Sequence, residues 1–96
     1  MIIIKFNSYI EQIFSSFEDI QKLEHYNDII YINCLYNELS SLPELPNSLT
    51  NLQCGYNNLS NLPQFPNSLT HLDCYYNNLS SLPQLPNSLT KLRCYG

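Results

Sequence analysis

Residues 49–68 read LTNLQCGYNNLSNLPQFPNS, and residues 69–88 repeat them almost letter for letter as LTHLDCYYNNLSSLPQLPNS. The same register runs back to Ile29 as IIYINCLYNELSSLPELPNS (29–48) and forward to a broken copy, LTKLRCYG (89–96). The period is 20 residues. A fixed period of that length marks a supersecondary unit that cannot bury its own apolar face and has to stack on its neighbours. The spacing therefore predicts a quasi-linear array of stacked units over residues 29–96, preceded by a different segment, residues 1–28, that covers its apolar end.

The frame LxxLxCxxNxL, carried by Leu49, Leu52, Cys54, Asn57 and Leu59, resembles the leucine-rich repeat, with cysteine where a third aliphatic residue is usual. The tail LPxLPxSL, here Leu62-Pro63-Gln64-Phe65-Pro66-Asn67-Ser68-Leu69, is similar to the short bacterial-type subclass. Repeats of that kind occur in secreted effectors of pathogenic bacteria and in repeat proteins of large DNA viruses of protists. The resemblance covers residues 29–96 and implies an α/β solenoid, a horseshoe segment with a short parallel sheet and an extended, polyproline-like convex side. It also implies protein binding in a host–pathogen setting, with the host cytosol as the compartment if the chain is viral or an effector.

Within each unit a short strand should hold Leu52-Gln53-Cys54 and its equivalents. Side chains alternate along a strand, so Leu52 and Cys54 point inward and their neighbours point outward, onto the concave face. Asn37, Asn57 and Asn77 follow each strand at the turn, where a buried amide can bond backbone groups of its own coil and of the next. Tyr36, Tyr56 and Tyr76 precede these asparagines and should stack as a row. The return arm holds two prolines per copy, Pro43 and Pro46, Pro63 and Pro66, Pro83 and Pro86, which is too stiff for a helix. Their PxxP spacing also matches ligands of aromatic grooves, but the intervening leucines are committed to the core and no arginine flanks them.

Cys34, Cys54, Cys74 and Cys94 occupy one register and form a line, whereas zinc needs ligands converging on a tetrahedral centre. Neighbouring strands come within disulfide range, yet thiols stay reduced in the cytosol and behave there as small buried hydrophobes. A reduced structural ladder with no metal is the expectation. No cofactor is implied either, since the only glycines are Gly55 and Gly96 and neither forms a phosphate-cradling loop.

Charge is sparse, 12% of residues, with a net of -4. Seven carboxylates and two bases lie in residues 1–48, one carboxylate and two bases in residues 49–96. An acidic chain without a basic patch argues against nucleic acid, which is bound by neutralising phosphates. The apolar run Ile2-Ile3-Ile4 ends at Lys5, too short for a signal peptide or a membrane span, so a soluble, cytoplasmic protein is expected. The Asn-Leu-Ser triplets at Asn58 and Asn78 are then by-products of the repeat.

In the leading segment, Ile10, Ile13, Phe14, Phe17, Ile20 and Leu23 recur at spacings of three and four, and Ser8 followed by Glu11 has the form of a capping box. These features predict a short strand near Ile2–Ile4 and an amphipathic helix over about residues 8–26 that caps the array.

Function has little room on a frame this repetitive. The positions that vary between copies are expected to face outward: Tyr31, Asn33 and Leu35; Asn51, Gln53 and Gly55; His71, Asp73 and Tyr75; Lys91, Arg93 and Tyr95. Aromatic and arginine side chains among polar ones are typical of interaction surfaces. Drift at exposed sites, or pairing of Asp73 with Arg93, would also produce variation. His25 and His71 have no nucleophile or carboxylate at a recognisable catalytic spacing. The expectation is a non-enzymatic module that binds a protein partner through this strip, with self-association through the last strand invited by its free edge. The alternatives are the substrate-recognition part of a ubiquitin-ligase-type effector lacking its catalytic domain, or a remnant without activity.

Overall fold

In the computed structural model of the chain, residues 1–94 are described. Six strands form one sheet: β1 (Ile2–Lys5), β2 (Glu11–Phe14), β3 (Tyr31–Asn33), β4 (Asn51–Gln53), β5 (His71–Asp73) and β6 (Lys91–Arg93). Their order in space is β2-β1-β3-β4-β5-β6. From β3 onward the strands are parallel and follow the chain, with Ile32, Leu52, Leu72 and Leu92 in register. The N-terminal hairpin adds two strands, β1 lying antiparallel to both β2 and β3. The result is a small compact α/β domain with a mixed sheet and little helix. Among the described residues no helix is long and apolar enough to cross a membrane.

The inward row explains the register. Ile4, Ile32, Leu52 and Leu72 are at most 1% exposed and lie side by side beneath the sheet. Burying each contributes about 1.5–3 kcal/mol, and a slip of one residue would turn the whole row to solvent. Cys34, Cys54 and Cys74 form a second buried row, and Leu49 and Leu69 close the core from the return side. Those return arms contain neither helix nor strand. Each ends in the same turn, in which the Leu49, Leu69 and Leu89 N–H groups donate to Pro46, Pro66 and Pro86 carbonyls at 3.2, 3.2 and 3.1 Å.

Two further rows tie the coils together. The Ser48, Ser68 and Ser88 hydroxyls donate to the carbonyls of Ile29, Leu49 and Leu69 at 2.7, 2.6 and 2.6 Å. Thr50, Thr70 and Thr90 do the same to Ile30, Thr50 and Thr70 at 2.9, 3.0 and 3.1 Å. The threonine hydroxyls reach carbonyls that already accept two backbone N–H groups of the next coil, so they reinforce a junction the backbone has made.

The helix expected over residues 8–26 does not form. Residues 2–14 make the β1–β2 hairpin instead, and helix α1 spans only Phe17–Gln21, followed by a 3-10 turn at Tyr26–Asp28. Asn7 turns the hairpin: its Oδ1 accepts from the Tyr9 and Ile10 N–H groups at 2.9 and 3.2 Å, the local bonding by which asparagine favours turns over helix. Lys5 then faces Glu11 across the ladder, 3.8 Å apart. Ser16, not Ser8, caps the helix, accepting from the Asp19 N–H at 3.4 Å. The apolar stripe is divided accordingly. Phe17 and Ile20 are buried, whereas Ile10 and Ile13 are 62% and 56% exposed.

Candidate functional site

Strand alternation puts Ile13 and Glu11 of β2, Ile3 and Lys5 of β1, and the varied residues of β3 to β6 on the outward face. At its N-terminal side the charges are already spoken for. Lys5 Nζ sits 4.7 Å from the centre of the Tyr31 ring, a cation–π contact, and 3.8 Å from Glu11. Asn33 is half engaged as well, its Oδ1 accepting from the Leu35 N–H at 3.1 Å.

Over β4 to β6 the face differs. Asn51, Gln53, His71, Asp73, Lys91 and Arg93 surround a shallow depression of about 260 Å³ whose floor is Leu72. Asp73 and Arg93 are register partners, yet no ion pair joins them: among the described residues the carboxylate–base contacts are Lys5–Glu11, Lys22–Glu18, and His25 with Glu24 and Asp28. Lys91 and Arg93 therefore stand on an exposed strand without a carboxylate in ion-pair contact among the described residues. His71 is oriented by Thr70, whose Oγ1 lies 2.8 Å from Nδ1. The depression thus offers two cations, a carboxylate, an imidazole and two amides, which suits a polar partner segment.

The remaining varied positions lie elsewhere. Tyr75 packs edge-on against Tyr56 and Tyr76, with ring centres 5.2 and 5.5 Å away, in an aromatic cluster beyond the strand ends. Tyr95 lies outside the described residues. Gly55 is not on open surface: a Cβ there would lie 3.0 Å from the Tyr75 carbonyl oxygen and 3.3 Å from Leu35 Cδ2. Variation at that position marks a packing adjustment between neighbouring coils.

Below the cluster, Tyr36, Tyr56 and Tyr76 stack with centres 4.3 and 4.7 Å apart. Each has φ of 55–57°, a left-handed conformation that costs a bulky residue about 1–2 kcal/mol. A stacked pair returns about 0.5–1.5 kcal/mol, so the two pairs of the row offset only part of its backbone strain. The Tyr36 hydrogen bond, with partial burial and the surrounding tyrosines, pushes the Tyr56 hydroxyl up to about 12.

The asparagine row is the most fully satisfied polar feature. Asn57 Nδ2 donates to the carbonyls of Cys34, Cys54 and Gly55 at 2.9, 3.0 and 3.0 Å, while Oδ1 accepts from the Asn37 and Leu39 N–H groups at 2.9 and 3.0 Å. Asn77 reaches Cys54, Cys74 and Tyr75 carbonyls and accepts from Leu59. Asn37 meets β1 instead, accepting from the Met1 ammonium at 2.6 Å and donating to its carbonyl at 3.0 Å. The hairpin thereby completes the first coil.

The cysteine row departs from the expected free ladder. Cys34 and Cys54 are free and buried, but Cys74 and Cys94 are joined as a disulfide. Their Cα atoms are 4.7 Å apart, a consequence of adjacent parallel strands in register and within the range that a bridge requires. Burial pushes the Cys34 thiol up to about 12 and raises Cys54 further, so neither is a nucleophile. The sequence carried a signal for the serine and threonine rows in the recurrence of serine at 48, 68 and 88 and of threonine at 50, 70 and 90. Compared with protein-family models, with curated proteins and with solved structures, the chain matches none of them.

Proposed function

We propose that the chain is a short leucine-rich-repeat-type solenoid acting as a non-enzymatic protein-binding module, and that a partner segment lies across the outward ends of β4 to β6. The observation that carries this is the depression around Leu72: six polar side chains, different in each copy, are held by a frame that otherwise repeats itself. The register of 20 residues, the asparagine row and the proline-bearing return arms support the repeat assignment. Lys91 and Arg93, two bases to one carboxylate in the depression and in no ion pair, favour an acidic segment.

Area limits strength. Four parallel strands of 3 residues give a face roughly 20 Å wide and about 10 Å long, so about 200 Å² against the about 800 Å² per partner of a standard interface, and a single contact is weak and salt-sensitive. Selection of a displayed peptide library on the immobilised chain tests the proposal. Enriched peptides should be acidic and should lose binding when His71, Asp73, Lys91 and Arg93 are replaced together by alanine. Peptides that bind the quadruple variant equally well would reject this face.

A further inference from the structure

The return arms cover one another, and the first is covered incompletely. Leu59 and Leu62 belong to the second arm, which has an arm on each side, and they are 0% and 8% exposed. Their copies Leu39 and Leu42 are only partly buried. These have the second arm on one side and α1 on the other, and a helix of 5 residues is about 7.5 Å long, too short to follow an extended arm. α1 commits Phe17 and Ile20 to the core and leaves a groove of about 350 Å³ between itself and the first arm. Ile2, Phe17, Leu39 and Leu42 form its floor, and the exposed Ser15, Gln21 and Ser41 stand at its rim. Among the described residues no charged side chain lines it.

The backbone carries the same gap. Between arms one bond recurs: the Asn58 N–H donates to the Leu39 carbonyl at 2.8 Å, and the Asn78 N–H to the Leu59 carbonyl at 2.9 Å. Glu38 is the equivalent residue of the first copy, and among the described residues its N–H has no such acceptor. Its φ is 56°, whereas Asn58 and Asn78 are not left-handed. A junction that the second and third copies complete is therefore unmade at the first, between walls formed by residues 15–21 and 37–43.

The array itself displays what fits such a surface. Against the second arm the chain lays Leu39-Ser40-Ser41-Leu42-Pro43, two aliphatic side chains three residues apart followed by a proline. Proline presets an extended backbone, so a segment of this kind loses little freedom on docking. A charged segment is disfavoured, because a charge buried without a partner is costly.

We propose that this groove is a second docking site, which takes an uncharged, extended partner segment of the pattern Leu-x-x-Leu-Pro alongside the first return arm, as that arm lies alongside the second. The groove shares no residue with the depression around Leu72. Its chemistry also differs, being aliphatic and indifferent to salt where the outward face is polar and charged.

The probe is a blocked synthetic peptide, LSSLPQLP, the sequence of residues 79–86, titrated into the full chain and followed by backbone amide shifts in NMR. Shifts should concentrate at Ser15, Gln21, Glu38, Leu39 and Ser41, with a Kd on the order of 1 mM that is the same at about 50 mM and about 0.5 M salt. Replacing the first two leucines of the probe by serine should weaken binding at least about tenfold. Ser41→Trp, at an exposed position, fills the groove and should abolish binding, with circular dichroism checking that the fold is retained; the pair of probes decides the matter on the wild-type chain alone. Four results would each overturn the proposal: no saturable shift up to about 5 mM peptide, a serine-substituted probe that binds equally well, a folded Ser41→Trp variant that binds like wild type, or shifts centred on β4 to β6. Because the acidic peptides of the outward face weaken with salt and this probe does not, failure at one site is distinguishable from failure at the other.

Discussion

Replacing Asn57 by alanine removes one amide that serves two coils. Its Oδ1 accepts from the backbone N–H groups of Asn37 and Leu39, and its Nδ2 donates to three carbonyls, in a side chain only 7% exposed. Alanine supplies no acceptor, so two partly buried N–H groups lose their partner at about 1–3 kcal/mol each. The carbonyls suffer less, because an under-satisfied C=O is tolerated better than an orphaned N–H. The expected loss is about 3 kcal/mol, since water reaches the partly buried pair. A chain of this length has about 5–14 kcal/mol in total, so the variant should lose a large fraction. Urea unfolding followed by circular dichroism measures it, as a lower midpoint with an unchanged slope. Asn37→Ala is the internal control: its partners are Met1 and Leu35 at the exposed end, and its cost should be about 1 kcal/mol or less. An Asn57→Ala loss below about 1 kcal/mol, or one no larger than that of Asn37→Ala, would refute the reasoning.

Gly55→Ala should destabilise by about 1–3 kcal/mol, since the new Cβ meets the Tyr75 carbonyl oxygen at 3.0 Å; thermal melts against wild type measure this. Alkaline stability should fall in a defined window. Burial, with Glu44 adding to it, pushes the Tyr26 hydroxyl from 10.0 to about 12, burial pushes the Cys34 thiol from 9.0 to about 12, and the Tyr36 hydrogen bond foremost pushes Tyr56 from 10.0 to about 12. In each case folding favours the protonated form, so its contribution is complete below the unfolded value and is lost as pH rises through the folded one. Melting temperature should be flat up to about pH 9 and then decline towards pH 12. Thiol titration of the oxidised, unfolded chain should find the two cysteines Cys34 and Cys54. Reduction should add Cys74 and Cys94 and lower stability by about 2–4 kcal/mol.

The repeated part of the chain was legible because every copy states the same pattern again. Leu52 and Leu72 are inward, Asn57 bridges coils and Tyr56 stacks between Tyr36 and Tyr76, all of which alternation and period alone imply. The leading segment occurs once, and there periodicity misled. Ile10, Ile13, Phe14, Phe17 and Ile20 fit a helical stripe, but the stripe spans two elements. Asn7 closes a turn locally, and β1 gains ladder partners on both sides, which an isolated strand beside a helix would lack. Tertiary pairing of β1 with β3 is not visible in a window of local spacing.

Within the candidate site, the outward positions of the strands were correctly placed by alternation, whereas the residues just beyond the strands were not. Tyr75 and Gly55 follow the last strand residue, where the backbone turns and side-chain alternation stops governing direction, so one joins the tyrosine cluster and the other is pressed between coils. Nor could sequence show that Asp73 and Arg93 are register neighbours without an ion pair. That depends on side-chain rotamers, and it is what leaves Lys91 and Arg93 available to a partner.

Backbone amide shifts followed by NMR during titration with a selected acidic peptide test the outward face most directly. The account predicts changes concentrated at Asn51, Gln53, His71, Asp73, Lys91 and Arg93. Changes centred on the return arms, in the groove between Gln64–Phe65 and Gln84–Leu85, with the strand residues unmoved, would contradict it.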